Sequence, residues 1–139
     1  MNRIKTTLFI WGLLFLTACA DQAQTPAVTG TTQATAGKIY YGEDYNKLMN
    51  DSLPLMIDFN AKWCGPCKLM KPIFEELSAE YEGKVNFISI DTDKFPEIAE
   101  IYRISSIPTF ILVEKKNIKW GNEGSLPKTM LEEPLKAYK

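Results

Sequence analysis

The segment Ile57-Asp58-Phe59-Asn60-Ala61-Lys62-Trp63-Cys64-Gly65-Pro66-Cys67-Lys68 joins two unlike hydrophobic patterns. Leu53 to Phe59 is a mostly apolar run, suited to a buried strand. From Cys64 to Tyr81, Leu69, Met70, Ile73, Phe74, Leu77 and Tyr81 recur at spacings of three and four, which predicts a long helix. Two cysteines thus fall where a strand ends and a helix begins. Unpaired N–H groups at a helix N-terminus favour a thiolate there, and Lys62 and Lys68 add positive potential. Cys67 lies three residues on, on the same helical face, so the pair can close a small disulfide ring. Pro66 suits a first helical turn and stiffens it.

The chemistry this implies is thiol–disulfide exchange. A Cys64 thiolate attacks a substrate disulfide, and Cys67, expected one turn deeper, resolves the mixed disulfide and releases reduced substrate. The competing reading is a structural Cys-x-x-Cys, either half of a zinc site or an inert bridge. The chain has no histidine and a single further cysteine, Cys19, so a zinc site lacks ligands. A bridge closing so short a loop would add little stability. The lack of histidine also excludes Ser-His and Cys-His catalytic pairs, and Lys68 after Cys67 excludes the haem-attachment pattern. No metal and no cofactor beyond the Cys64–Cys67 disulfide is expected.

Outward from this segment, hydrophobic period and turn residues divide residues 38–139 into one small domain. Residues 43–51 read as a helix with Tyr45, Leu48 and Met49 on one side. After the long helix come a strand at 85–90, a short helix at 95–102 behind Pro96, and strands at 109–113 and 118–120 joined at Lys115-Lys116-Asn117. Gly124-Ser125 opens a last helix with Pro127 in its first turn. The strand–helix–strand unit should be parallel and right-handed, and the 109–120 pair antiparallel. The expected fold is therefore α/β, a mixed sheet of four to five strands with helices on both faces.

The N-terminus reads differently. Arg3 and Lys5 precede an uncharged run from Thr6 to Ala18 that is short for a membrane span of roughly 20 apolar residues but has the layout of a secretory signal. It closes on Leu16-Thr17-Ala18-Cys19, which resembles the bacterial lipoprotein signal. That resemblance implies cleavage after residue 18, lipidation of Cys19 and attachment to a membrane; a plain signal peptide or an uncleaved anchor is the alternative. Loss of Arg3 and Lys5 would take the net charge from −1 to −3, leaving acyl groups rather than charge to hold the protein to a bilayer. With no basic excess, nucleic-acid binding is not expected. Residues 20–37 carry one charge and no aromatic side chain, and read as a tether reaching roughly 20–25 Å.

The active-site segment from Ile57 to Lys68 resembles that of the thioredoxin family. Pro72 sits where its members carry a helix-bending proline, Ile107-Pro108-Thr109 resembles their cis-proline segment, and Gly124 resembles the glycine before their last helix. The resemblance spans residues 38–139 and implies the thioredoxin fold. It implies that Cys64 is the nucleophile, Cys67 the resolving thiol and Asp58 a buried carboxylate that takes the Cys67 proton. It further implies that Pro108 forms a cis bond, that the Ile107 backbone pairs with an extended substrate, and that Trp63, Gly65 and Pro66 complete the substrate surface. The sequence departs from the family at Asn60, where many members have tryptophan. It departs again at Phe87, read as the position of a lysine near the buried carboxylate, and at Ser105-Ser106 and Pro134.

Gly-Pro between the cysteines and Ile before Pro108 resemble reducing members. The expected protein is a monomeric, membrane-tethered reductase of protein disulfides facing the periplasm or another extracytoplasmic space. It would draw electrons from a membrane thiol donor, because such compartments are oxidising. A disulfide oxidase or isomerase, and a non-catalytic adaptor, are the alternatives.

Overall fold

The computed structural model describes residues 37–139. The signal-like segment, Cys19 and residues 20–36 of the expected tether lie outside the described residues. The first element of the described residues is a strand that the sequence reading does not contain, β1 (Ile39–Tyr41). Three residues ending at Tyr41 are too few to display an alternating pattern. The expected helix at 43–51 is instead a 3-10 turn, Gly42–Asp44, running into one turn of α-helix, α1 (Tyr45–Leu48). Tyr45 and Leu48 are nevertheless buried side by side, as their spacing requires.

The other elements follow in the predicted order. They are β2 (Leu55–Asn60), α2 (Gly65–Glu80), β3 (Asn86–Asp91), α3 (Pro96–Ile101), β4 (Thr109–Glu114), β5 (Asn117–Glu123) and α4 (Lys128–Glu132). Lys115 and Lys116 both have positive φ, forming the tight turn between β4 and β5. A proline inside a helix has no N–H to donate and clashes with the preceding turn. Pro134 accordingly closes α4, and the chain continues as a 3-10 helix over Glu133–Tyr138. Pro72 is accommodated within α2.

The sheet has five strands in the order β1-β3-β2-β4-β5. β2 pairs in parallel with β3 and antiparallel with β4. Because side chains alternate along a strand, β2 serves two cores. Met56 joins Met70, Phe74 and Leu77 of α2, Phe87, Phe110, and Leu131 and Leu135 near the C-terminus. The Phe74 and Phe87 rings meet edge to face at 5.1 Å. Ile57 and Phe59 point the other way, with Ile88, Ile90, Ile111, Tyr45 and Leu48 of α1, and Ile98 of α3. Helices therefore cover both faces. Asp58 and Asn60 share the face of Met56, beneath the start of α2.

Candidate active site

β2 delivers the chain to the loop holding the cysteines. The Cys64 N–H donates to the Ala61 carbonyl at 3.1 Å, turning the chain into α2. Cys64 is the N-cap, in extended conformation, and its Sγ accepts the Cys67 N–H at 3.2 Å. A sulfur in that position receives a backbone donor and the positive end of the helix dipole, both of which favour its ionised form. Gly65 and Pro66 make the first turn, and Cys64 and Cys67 are joined in a disulfide. Both residues are buried, Cys64 at 3% exposure and Cys67 at 7%. This corrects the expectation that Cys67 lies deeper than Cys64. Ala61 and Ile107 pack against the pair, and a cavity of about 550 Å3 reaches Cys67.

Asp58 and Asn60 of β2 and Phe74 of α2 line that cavity. Asp58 is buried between strands, opposite Ser89 on β3 and Phe110 on β4. Burial raises its pKa from the ordinary 3.8 to about 7, and a hydrogen bond from Asn60 acts against the rise. The register corrects the reading of Phe87, which pairs with Met56 and packs in the core. The β3 residue opposite the carboxylate is Ser89, two positions further on and so on the same face.

The outer rim is formed by Trp63 and the Ile107–Pro108 segment. Trp63 is 69% exposed, and its Nε1–H donates to Asp93 Oδ2 at 2.9 Å. The Ile107–Pro108 bond is cis. The Pro108 carbonyl accepts the Gly124 N–H at 2.7 Å, where Gly124 has φ +85°, a conformation glycine adopts without strain. Ser106, noted as a departure, donates its hydroxyl to Glu123 Oε2 at 2.8 Å, while its carbonyl accepts from Thr109. The structure thus gathers Trp63, Cys64, Gly65, Pro66, Cys67 and Ile107 about one disulfide, with Asp58 behind it. Asp93 escaped the sequence reading: it lies 30 residues from Trp63, and no local pattern links the two. Among the described residues no cluster of three His, Cys, Asp or Glu side chains could hold a metal ion.

A disulfide at a helix N-terminus, a buried carboxyl group behind it and a cis-proline segment beside it, on a five-stranded mixed sheet, define a thiol–disulfide oxidoreductase. The thioredoxin family model matches residues 38–137, and the chain belongs to the thioredoxin family. It is 40% identical over 91 residues to the chloroplastic M-type thioredoxin of Spinacia oleracea, covering 66% of this chain and 50% of that protein. It is 38% identical to the thioredoxin of Synechocystis over 66% of this chain and 85% of the relative. The thioredoxin NaTrxh of Nicotiana alata has a similar structure, with TM-score 0.66 and 26% identity over 75% of this chain and 95% of that one.

Proposed function

We propose that this protein reduces disulfides in other proteins outside the cytoplasm while lipid on Cys19 holds it to a membrane. The observation that carries the exchange chemistry is the Cys64–Cys67 pair at the α2 N-terminus with the Asp58 carboxyl behind it, and Gly65-Pro66 between the cysteines with Ile107 before Pro108, which resemble reducing members, support the reducing direction. In the reduced protein, the Cys64 thiolate attacks one sulfur of a substrate disulfide. The substrate's S–S bond breaks, its other sulfur leaves as a thiolate, and a mixed disulfide forms. Cys67 gives its proton to the Asp58 carboxylate and attacks Cys64 Sγ. The second substrate sulfur leaves, the substrate has gained two electrons, and the protein carries the intramolecular disulfide. With a pKa of about 7, Asp58 is available both as base and as acid near neutrality.

The substrate approaches over Trp63, Gly65 and Pro66. An extended segment pairs with the Ile107 backbone beside the cis Pro108, a form of strand addition. An oxidising compartment requires that the pair be reduced again, so a membrane thiol donor is the source of electrons. The support for lipid attachment is the sequence Leu16-Thr17-Ala18-Cys19 behind a short apolar run.

Two measurements test this. The reduction potential of the Cys64–Cys67 couple should lie toward the reducing end of the range spanned by disulfide oxidoreductases; a value near that of the strong oxidants overturns the reductase reading. Radiolabelled fatty acid should be incorporated by the wild-type chain and not by Cys19→Ser; equal labelling of the two, or none in either, overturns the anchor.

A further inference from the structure

Asn60 Nδ2 lies 3.0 Å from Asp58 Oδ2, 3.2 Å from the Asp58 carbonyl and 2.7 Å from Ser89 Oγ. A carboxylate and a carbonyl oxygen only accept, so the nitrogen, not the oxygen, of the amide faces them. The amide has two protons, and Asp58 Oδ2 and Ser89 Oγ are its two nearest acceptors. Asp58 Oδ1 is buried with no hydrogen-bond partner among the described residues. Asn60 is therefore the sole donor to this carboxyl group within them. Ser89, opposite Asp58 across the parallel β2–β3 pair, fixes the amide by its second N–H. All three side chains line the same cavity, and of the three only Asn60 stands where the family resemblance leads one to expect a tryptophan.

We propose that Asn60 and Ser89 are positioning residues that orient the Asp58 carboxyl group for proton exchange with Cys67 and stabilise its ionised form. The inference rests on the reading of Asp58 as proton acceptor. A hydrogen bond to the charged form of a group in a desolvated site shifts the balance between its two protonation states toward that form. Charges of both signs ring the cavity: Lys68, Lys71 and Glu75 of α2, Lys62 before it, Asp91 and Lys94 at and beyond the end of β3, and Glu43 of the 3-10 turn. Burial raises the Asp58 pKa, and the Asn60 hydrogen bond opposes the rise.

The test is the titration of the Asp58 side-chain carbon, followed by NMR in the full chain, alongside the pH profile of disulfide exchange. Asn60→Leu keeps the branching and the number of side-chain heavy atoms and removes the donor. It should move the Asp58 midpoint upward by about one pH unit, with the exchange profile following. Ser89→Ala should move both in the same direction by less. Unmoved midpoints in folded variants overturn the proposal; if Asn60→Leu does not fold, Ser89→Ala and Asn60→Ser decide it by the same criterion. Asp58→Asn separates the two readings. If it leaves exchange and its pH profile unchanged, the proton-acceptor role falls, and with it the orienting role of the pair. If it slows exchange while Asn60→Leu leaves the Asp58 titration in place, only the positioning role falls.

Discussion

Trp63 and Asp93 are joined by a hydrogen bond of 2.9 Å from the indole Nε1–H to a carboxylate oxygen, although most of the Trp63 surface is open to solvent. An exposed indole with a free N–H would sample several rotamers. This one is tied to the segment after β3, where the Asp93 N–H in turn donates to Asp91 Oδ1. The ring next to the nucleophile thus has a fixed pose before any substrate arrives, which lowers the ordering cost of binding.

Asp93→Ala should therefore weaken the capture of protein substrates more than it slows the chemistry. The loss of one exposed hydrogen bond to a charged acceptor, about 1 kcal/mol, corresponds to about a fivefold rise in KM for a folded protein disulfide. The rate with a small disulfide should stay near the wild-type value, and Asp93→Asn, which keeps an acceptor, should recover most of the loss. Steady-state kinetics with both substrate types check this; equal losses on the two would assign Asp93 to the chemical step instead.

The two cysteines should fail in different ways. Cys64→Ser leaves no attacking sulfur at the helix N-cap, and exchange should fall to background. Cys67→Ala leaves the attacker in place without the resolving thiol, so mixed disulfides should accumulate and run as reductant-sensitive adducts on non-reducing gels. Adducts forming with Cys64→Ser rather than Cys67→Ala would reverse the roles. The similar burial of the two residues gives no distinction, whereas the N-cap position of Cys64 does.

Most of this site was legible because it depends on short-range pattern. A buried apolar run, a turn with Trp63 and the Cys64–Cys67 pair, and a helix of regular apolar spacing are contiguous in the chain, so the strand-to-helix junction could be read directly. Register between strands was not legible. Phe87 and Ser89 are two residues apart on one face, and only the β2–β3 pairing reveals that Ser89 is the one opposite Asp58. β1 was missed because three residues carry no period, and its place at the sheet edge comes from pairing with β3. Asn60 was noticed as a departure, but its bonds to Asp58 and Ser89 depend on that same register. The Asp93 contact was beyond reach because it is made by a loop folding back across the site.

Gly124 joins the last helix segment to the cis-proline strand by donating to the Pro108 carbonyl, and it does so at φ +85°. A Cβ added there would meet nothing within 4 Å, so the cost of substitution is one of backbone conformation alone. Gly124→Ala should destabilise the protein by about 1–2 kcal/mol, and Gly124→Asn, which tolerates positive φ better, by less. Urea unfolding measures both. Equal losses for the two would mean that crowding, not conformation, decides the position.

Burial of Asp58 has a consequence for stability whose sign is fixed. Its pKa is about 7 in the folded protein and near its ordinary 3.8 when the chain unfolds. Below about pH 4 both states hold the proton, and no difference arises. Between about pH 4 and 7 the unfolded chain gives the proton up while the folded protein keeps it, so the folded state binds more protons and stability falls as pH rises. Above about pH 7 the fall is complete, at roughly 4 kcal/mol from about 1.4 kcal/mol for each pH unit of the interval. Asp58→Asn has no proton to lose. Its oxidised form should match wild type within about 1 kcal/mol at pH 4 and exceed it by roughly 2–4 kcal/mol at pH 8, read from urea midpoints. Parallel stability curves for the two proteins across this range would show that the Asp58 carboxyl group ionises without cost, contrary to its burial beneath α2.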